Sequence, residues 1–444
     1  MIAPDLARAL EKAGLSEEAA SGHASRFAYV LARFAPERRD RETWDAWYVP
    51  GRIEVLGKHT DYAGGRSLIC AAERGFHVVS APRTDRRVAL TDVGRGAALV
   101  LDPAEPGPDV SWATYPLTVL RRLSRNFPEM IRGVDLAFES DLPSAAGLSS
   151  SSALMIAVLL ALVRANRLDR TTAWIESLHN TKEDLAAFAA TIENGRAFRA
   201  LAGEGGVGTE GGSEDHTAIL CSEPSRVAQY AFCPTRRERS IPFAAGLLFA
   251  IGVSGVAARK TGEARDDYNR VSRNAARVLE RWHEETGRRD ESLAAAVATS
   301  TDASGRLRGV LEGDQELVDR FDQFVEESTE LVPAAADELE RGNLDGFGRT
   351  VARSQELAER LLHNQVPETV ALVQTACEHG AWAASAFGAG FGGSVWALVD
   401  QSSAHAFLDR WQNAYRTVCP AAAARSRFFL TRPGPAVVRL SDDV

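Results

Sequence analysis

Apolar residues recur at helical spacing through the opening of the chain. The positions are Leu6, Leu10, Leu15, Ala19 and Ala20. A spacing of about three to four residues places such side chains on one face of a helix. We therefore expect residues 1–45 to form a helical cap ahead of the main fold.

Beyond the cap the pattern changes to short β-type runs separated by glycines, and later it returns to helical periodicity. The runs that predict strands are Ile53–Leu56, Ser67–Cys70, Phe76–Ala81, Val88–Leu90, Leu136–Phe138, Leu247–Val253, Val395–Val399 and Phe428–Thr431. The segments that predict helices are Ala153–Val163, Asp267–Glu285 and Gln315–Arg341. A chain of 444 residues suits two domains, and we place their boundary near Arg236–Pro242. The two domains would then be residues 46–240 and 241–444.

The composition is that of an ordinary globular protein and excludes some function classes. The formal net charge of −9 argues against a nucleic-acid surface, which needs a basic patch. The five cysteines never form a C-x-x-C pair, so reduced thiols in a cytosol fit better than a disulfide framework or a zinc site. The opening residues do not have the pattern of a signal peptide, and the longest apolar stretch, near Leu154–Val163, is too short to span a bilayer. We predict a cytoplasmic protein that acts on neither nucleic acid nor membranes.

A first candidate motif is Pro50–Tyr62, which reads Pro-Gly-Arg-Ile-Glu-Val-Leu-Gly-Lys-His-Thr-Asp-Tyr. It places a cation, an imidazole and a carboxylate beside glycines. Such a cluster suits a polyol, because a carboxylate accepts hydrogen bonds from hydroxyls and an imidazole donates or accepts. A polar turn between two strands is the alternative.

The second motif is Leu142–Ala153, where small residues and four consecutive serines lead directly into an apolar helix. Small residues let a backbone approach a phosphate, and the free N–H groups at a helix N-terminus attract anions. A simple serine N-cap is the alternative, but four serines exceed what a cap needs. The loop lacks the Gly-Lys-Ser/Thr ending of a Walker A motif.

The third motif is Gly388–Ser394, a glycine-rich turn before a predicted strand. In this order, the three motifs resemble those of the GHMP kinase family, and in particular its galactokinase branch. The resemblance covers the chain from Pro50 to about Val399. It implies an α+β (mixed α/β) fold of two domains with the active site in the cleft between them. It also implies an ATP-dependent kinase that phosphorylates the anomeric hydroxyl of a galactose-type sugar.

The resemblance assigns roles to individual residues. Asp215 corresponds to the family's catalytic aspartate and Arg52 to its arginine, so we expect a general base and a charge-stabilising cation. A helix N-cap and a structural ion pair are their alternative roles. Residues that correspond to the family's ATP-binding loop are Pro143, Ala145, Ala146, Gly147, Leu148, Ser149, Ser150, Ser151 and Ser152. Magnesium would be held by Ser151 or Ser152 together with Glu193, with Glu204 as the rival glutamate.

For the sugar, the family pattern points to Lys58, His59, Asp61 and Tyr268. Two of the positions in the first motif depart from that pattern. The family usually has asparagine where this chain has Glu54, and glutamate where it has Lys58. A lysine there would suit the carboxylate of a uronic acid, unless Glu54 and Lys58 pair with each other and leave the pocket neutral.

The phosphate loop departs as well, because Ala145 occupies the position of the family's first glycine. Alanine is strained there if the backbone needs a positive φ. This leaves open a catalytically weak or inactive sensor of sugar and ATP. A kinase of a non-sugar alcohol such as mevalonate or homoserine is a third alternative, which the His59–Tyr62 run disfavours. The sequence leaves the oligomeric state, monomer or dimer, undetermined.

Overall fold

The fold is seen in a computed structural model, which describes residues 3–34, 44–128, 132–258 and 263–440. Its helices are α1 Ala3–Lys12, α2 Glu17–Leu31, α3 Thr114–Asn126, α4 Ser150–Asn166, α5 Thr172–Leu178, α6 Lys182–Asn194, α7 Glu214–Cys221, α8 Glu263–Thr286, α9 Leu293–Val297, α10 Ala303–Val310, α11 Gln315–Val325, α12 Val332–Arg341, α13 Leu344–Leu357, α14 Pro367–Glu378, α15 Ala404–Val418 and α16 Pro420–Ala423. Its strands are β1 Asp45–Leu56, β2 Arg66–Pro82, β3 Val88–Asp92, β4 Ala97–Leu101, β5 Val134–Ser140, β6 Arg226–Ala231, β7 Arg236–Pro242, β8 Leu247–Val253, β9 Ala383–Phe387, β10 Ser394–Asp400, β11 Arg427–Thr431, β12 Pro433–Gly434 and β13 Val438–Arg439.

The larger sheet is built around β2, which is 17 residues long. β2 pairs with β1 along one edge, and with β6 and then β5 along the other. The strand order is β13-β1-β2-β5-β3-β4, while β12 joins β2 and β7 extends from β6. Only the β3–β5 pair is parallel among the described pairings. The first motif lies at the end of β1, so the large sheet positions it.

The smaller sheet has the order β11-β8-β10-β9 and is antiparallel. All seven residues of β8 are buried, which explains why the sequence Leu247–Val253 is a continuous apolar run. The third motif is the turn between β9 and β10. The smaller sheet therefore positions this glycine-rich turn.

Helix α4 occupies the centre of the core, and 11 of its 17 residues are buried. It packs against β1 and β2 on one side and against α3, α6 and α7 on others. A helix that is enclosed on all sides has to be apolar all round, as this one is. No helix in the described ranges is both long enough and apolar enough to cross a membrane.

Within the predicted cap, residues 1–45, the described part contains the helices α1 and α2, while residues 35–43 lie outside the described residues and the extent of the cap stays a prediction. The apolar face of these helices, which includes Leu6, Leu10 and Phe27, packs on Ala46 and Tyr48 of β1. The predicted helix Gln315–Arg341 is interrupted: α11 runs into a π-helical segment, Glu326–Leu331, before α12 begins. Periodicity does not reveal such a wide turn, because the side chains on either side of it keep a helical spacing.

The predicted boundary segment Arg236–Pro242 is β7, an edge strand of the larger sheet. The division at about residue 240 stays a prediction. The last two strands, β12 and β13, return to the larger sheet beside β2 and β1. These two strands therefore belong to the sheet that carries the first motif.

Candidate active site

Hydrogen bonds join the three sequence motifs to one another. The N–H of Arg52 donates to the carbonyl of Leu148 at 3.1 Å, which joins the first motif to the second. Ser394 Oγ donates to the carbonyl of Ala146 at 2.6 Å, which joins the third to the second. The N–H of Gly388 donates to Glu54 Oε2 at 3.3 Å, which joins the third motif to the first.

A cleft of about 800 Å³ opens where the motifs meet. That volume suits a small-molecule ligand or two adjoining ones. The first motif contributes Arg52, Glu54, His59, Asp61 and Tyr62 to its lining, and the second and third motifs contribute Ser144–Gly147, Ser149–Ser151 and Gly388–Ala389. Residues that lie far apart in sequence thus share one cavity.

Arg52 and Asp215 form an ion pair in this cleft. Arg52 Nε donates to Asp215 Oδ1 at 2.8 Å, and its Nη1 donates to the carbonyl of Gly147 at 2.7 Å. Asp215 is the second residue of α7, whose N-cap position is Ser213. The Asp215 side chain therefore does not cap its helix, and it lines the cleft instead.

Acidic side chains surround Arg52, which is itself only 4% exposed. Burial opposes its charge, but the carboxylates of Asp215, Glu214 and Glu54 outweigh burial and raise the pKa of Arg52 above its usual value. Burial in turn raises the pKa of Glu54 to about 7, against the pull of Arg52 and Lys58. Burial and the neighbouring Glu54 raise the pKa of Glu214 well above its usual value.

The second motif forms a loop at the N-terminus of α4. Ser149 precedes the helix with a φ of 58°, and Ser149, Ser150 and Ser151 line the cleft. The first N–H groups of a helix have no partner within the helix, so this end of α4 is suited to phosphate. Ala145 has a φ of 52°, so the loop does require the backbone conformation in which alanine is strained.

Not every residue of the predicted ATP loop faces the cleft. Ala145, Ala146 and Gly147 line it, whereas Pro143 and Leu148 are absent from the lining. Leu148 is buried in the main core, and only its carbonyl contacts the first motif.

Ser152 is buried beneath the loop beside a carboxylate. Its Oγ lies 3.0 Å from Glu193 Oε2 and 3.4 Å from Asp215 Oδ2. Glu193 and Ser151 line the cleft, so Glu193 fits the predicted metal ligand. The rival Glu204 pairs with Arg125 at 3.0 Å on the surface and is absent from the cleft lining.

The described residues contain no group of three or more histidine, cysteine or acidic side chains that would hold a metal by themselves. One carboxylate and one or two hydroxyls beside a phosphate loop are nevertheless a donor set that suits magnesium, which takes most of its other ligands from phosphates and water. Ser151, Ser152 and Glu193 therefore fit a magnesium ion that arrives with a nucleotide.

The predicted sugar residues His59, Asp61 and Tyr268 lie together in the cleft lining. The rings of His59 and Tyr268 are 5.4 Å apart. His59 Nε2 donates to the carbonyl of Ala389 at 3.1 Å, so its Nδ1 in the neutral ring accepts from Tyr62 Oη at 3.0 Å. Asp61 Oδ2 accepts from the N–H of Glu214 at 3.1 Å.

Lys58 is not brought to the cleft. Its side chain is 1% exposed, and its Nζ donates to Ser385 Oγ at 2.7 Å and to Ser354 Oγ at 3.2 Å. The predicted ion pair with Glu54 is also absent from the direct contacts of the described residues, although Lys58 lies near enough to influence Glu54. The expectation that Lys58 reads a substrate carboxylate therefore has no geometric support.

Sequence reasoning missed two groups of residues. An aromatic group, Phe76, Trp112, Tyr115 and Phe138, lines the cleft beside the start of the phosphate loop. A clamp from α11 and the π-helical segment holds the backbone of the first motif: Glu327 accepts from Gly57, Gln323 donates to Lys58, and Arg320 donates to His59. These residues come from segments without a motif, so no local signal marks them.

Three family models match the chain in sequence order. The galactokinase galactose-binding signature matches residues 34–82, the GHMP kinases N-terminal domain matches residues 114–204, and the GHMP kinases C-terminal domain matches residues 335–417. The chain belongs to the GHMP kinase family, in its galactokinase-like branch. These matches contain motifs one and two and the turn that forms motif three.

Curated relatives of this GHMP kinase extend over most of its length. The galactokinase of Roseiflexus sp. (strain RS-1) is 27% identical over 398 residues, which are 89% of this chain and 92% of that protein. The galactokinase of Streptomyces coelicolor is 28% identical over 383 residues, or 83% of this chain and 88% of that protein.

A crystal structure of Lactococcus lactis galactokinase complexed with galactose has the same fold. The two structures superpose with a TM-score of 0.76 at 22% identity, covering 93% of this chain and 99% of that one. The expected α+β, two-domain GHMP kinase fold is therefore confirmed.

Proposed function

We propose that this GHMP kinase transfers the γ-phosphoryl group of ATP to the anomeric hydroxyl of a galactose-type sugar. The observation that carries the proposal is the buried Arg52–Asp215 pair, which lies between the phosphate loop and the His59–Asp61 cluster. A sugar hydroxyl is a weak acid, and phosphoryl transfer depends on positioning and charge neutralisation. The pair supplies a proton acceptor and a cation at the point where both are needed.

Asp215 is suited to take the proton of the attacking hydroxyl. Arg52 donates to its Oδ1, Ser152 Oγ lies 3.4 Å from its Oδ2, and the side chain lines the cleft. Arg52 also holds the carbonyl of Gly147, so its guanidinium lies beside the phosphate loop. A fixed cation at that point stabilises charge that develops on the transferred group without having to reorganise.

Two features of the cleft suit a nucleotide. The N-terminus of α4, with Ser149–Ser151, suits the phosphates, and the aromatic group beside the loop suits the base. Glu193 with Ser151 or Ser152 would hold magnesium, which when bound neutralises phosphate charge.

The sugar end of the cleft favours a neutral substrate. It is lined by the carboxylates Glu54, Asp61, Glu214 and Asp215, with Arg52 as the cation among them. A uronic acid would bring a further negative charge beside these acidic side chains, which is unfavourable. Lys58 lies outside the cleft lining, so it would not contact the carboxylate of a uronic acid.

A coupled ADP-release assay with ATP and magnesium tests the proposal. The panel contains galactose, galacturonate, glucuronate, N-acetylgalactosamine, arabinose, mevalonate and homoserine. We expect turnover with galactose and none with the two uronates. Sugar binding without turnover of any compound would instead support the sensor, and turnover of mevalonate or homoserine alone would contradict a sugar kinase.

The variant Asp215→Asn tests the role of the base. It keeps the shape of the side chain but removes its proton affinity, so we expect kcat to fall by about 10²–10⁴-fold while the sugar still binds. Asp337→Asn is the matched control, since Asp337 pairs with Arg239 at the surface. Unchanged kcat in Asp215→Asn would remove Asp215 from the mechanism.

A further inference from the structure

A glycine segment, residues 203–212, leads into α7 and so to Asp215. Six of its ten residues are glycine, and its last two, Gly211 and Gly212, line the cleft. Glycine leaves the backbone freer than any other residue does, so contacts from elsewhere in the protein have to fix the course of this segment. Whatever fixes it also fixes part of the cleft.

The side chain of Asn269 holds the glycine segment from α8. Asn269 is 4% exposed. Its Nδ2 donates to the carbonyl of Gly208 at 2.9 Å, and its Oδ1 accepts from the N–H of Glu210 at 3.0 Å, so the two hydrogen bonds form a bracket around Thr209. Ser272, three residues further along α8, donates through Oγ to the carbonyl of Glu210 at 2.8 Å. One face of α8 therefore fixes this part of the segment.

The residue inside the bracket, Thr209, contacts the predicted metal ligand. It is 2% exposed, and its Oγ1 donates to Glu193 Oε1 at 3.4 Å. Asn194, the residue after Glu193, donates through Nδ2 to the carbonyl of Gly211 at 2.9 Å. The glycine segment is thus tied to the end of α6 as well as to α8, and the bracket orients the hydroxyl that contacts Glu193.

Beyond the bracket, the two glycines that line the cleft lie close against residues of the candidate sugar site. A Cβ atom on Gly211 would lie 2.7 Å from Tyr268 Oη, and one on Gly212 would lie 2.5 Å from Asp61 Oδ2. Glycine permits such an approach because it has no Cβ. The backbone of the glycine segment is therefore a wall of the cleft beside Tyr268 and Asp61.

We propose that Asn269 is a positioning residue that holds the glycine segment so that the sugar and the groups that act on it are aligned. This inference rests on the proposed function, since it concerns the placement of the same sugar. Asn269 is absent from the described lining of the cleft, so it acts through residues 208–212 and not on a ligand directly. Phosphoryl transfer depends on alignment, and a displacement of about 1 Å lowers a rate by about 10²-fold.

The alternative is that the bracket stabilises the fold without affecting alignment. Buried amide hydrogen bonds contribute to stability wherever they lie. A loss of stability alone therefore does not decide between the two roles. The experiment separates them by comparing sugar binding, nucleotide binding and kcat with those of a control variant on the same helix.

The test is the variant Asn269→Ala in the full chain, with dissociation constants measured by calorimetry and kcat measured with galactose, ATP and magnesium. We expect the dissociation constant of galactose to rise by about 10-fold, because the sugar then has to order the freed segment. We expect kcat to fall by about 10- to 100-fold. ATP binding measured without magnesium should stay as in the native protein, because the bracket holds the sugar end of the cleft and not the phosphate loop.

Asn274→Ala is the matched control. Asn274 lies on the same helix, is 5% exposed, and accepts from Arg277 Nη1 at 3.4 Å beside a separate cavity of about 310 Å³. The control should lose stability but keep the native galactose binding and kcat. If Asn269→Ala does not fold, Ser272→Ala replaces it, because it removes one hydrogen bond from the same segment and leaves Asn269 in place. A smaller loss of galactose affinity, again with native ATP binding, is then expected.

The outcomes separate this inference from the proposed function. Native galactose binding and kcat in Asn269→Ala, or the same losses in Asn274→Ala, would overturn the inference and leave the bracket a role in stability alone. Equal weakening of galactose and ATP binding would also overturn it. A native protein that binds galactose without phosphorylating it contradicts the proposed function, whereas a selective loss of galactose binding in Asn269→Ala would still support the inference. A native protein that binds no sugar overturns both.

Discussion

At the scale of single residues, Ala145 shows a conflict between side chain and backbone that the sequence already suggested. Its φ of 52° lies in the left-handed region, where a Cβ atom is disfavoured by about 1–2 kcal/mol. The loop still forms, and the carbonyl of Ala145 accepts from Ala258 at 2.9 Å. The alanine therefore does not by itself indicate an inactive sensor.

Ala145→Gly should relieve this strain. We expect a gain of up to about 1 kcal/mol in the free energy of unfolding, because part of the relief is offset by the greater freedom of glycine in the unfolded chain. Chemical denaturation measures it. The neighbouring Ala146→Gly is the control, since Ala146 is buried and has no positive φ, and it should destabilise. A less stable Ala145→Gly would mean that the methyl group packs favourably.

The sequence motifs predicted many residues of the candidate site, but they did not show which side chains face the cleft. Arg52, Asp215, His59 and Asp61 were found by pattern, and the structure brings them together in one cleft. Lys58 lies in the same motif and points elsewhere. Whether a side chain in such a turn faces a cavity depends on the local backbone and on what packs behind it, which no spacing rule contains.

At the scale of elements, the π-helical segment Glu326–Leu331 connects the helices of the second half to the first motif. It places Glu327, which is fully buried, where its Oε1 accepts from the N–H of Gly57 at 2.8 Å and from Ser354 Oγ at 2.9 Å. Ser354 in turn accepts from Lys58 Nζ at 3.2 Å. A continuous chain of hydrogen bonds thus fixes the loop that carries His59 and Asp61.

Ser354→Ala should weaken this connection. It leaves Glu327 and Lys58 with fewer hydrogen bonds in a buried position, which we expect to cost about 1–3 kcal/mol in the free energy of unfolding. Because the loop that carries His59 and Asp61 loses support, KM for the sugar should rise more than KM for ATP. Steady-state kinetics and denaturation check the two effects.

Ser403→Ala serves as the control for Ser354→Ala, because Ser403 is exposed and its Oγ donates to the nearby carbonyl of Asp400. It should change neither quantity. Equal increases of both KM values in Ser354→Ala would indicate a general loss of structure and not a role of this network in the loop that carries His59 and Asp61.

At the scale of the whole molecule, a hydrogen bond between two buried histidines joins helix α2 to the larger sheet. His23 of α2 and His77 of β2 lie 2.8 Å apart, from Nδ1 to Nε2, and His23 Nε2 donates to the carbonyl of Glu73. Burial, followed by the nearby His77, lowers the pKa of His23 to about 4. The folded state therefore favours a neutral His23.

This shift makes stability depend on pH. Below about pH 6.5 the unfolded chain binds a proton at His23 that the folded protein does not take up until about pH 4. The free energy of unfolding should fall by about 3 kcal/mol between these values, and level off for this group below pH 4. Denaturation curves recorded across this range measure the change.

His23→Gln should remove this part of the pH dependence. His405→Gln is the control, since His405 is exposed and should leave the dependence as in the native protein. A His23 variant with the native dependence would show that the group responsible lies elsewhere.

By itself, the sequence determined the helical character of the opening residues, the order of the main strands and helices, the family and the three motifs. These follow from local patterns, since periodicity sets which side chains turn inward and glycines and serines mark loops that approach a phosphate. The apolar run Leu247–Val253 is an example, because a strand buried on both faces needs no polar positions.

Only the tertiary structure decided the remainder. Contacts between segments far apart in the chain return β12 and β13 to the larger sheet and hold the backbone of the first motif. Such contacts also bring the aromatic group to the phosphate loop, and they place Glu54 in the cleft lining and Lys58 outside it. The packing of distant segments also places Glu193 beside Ser152, while Glu204 pairs with Arg125. Such contacts depend on how distant elements pack, and that information is spread over the whole core and is absent from any single motif.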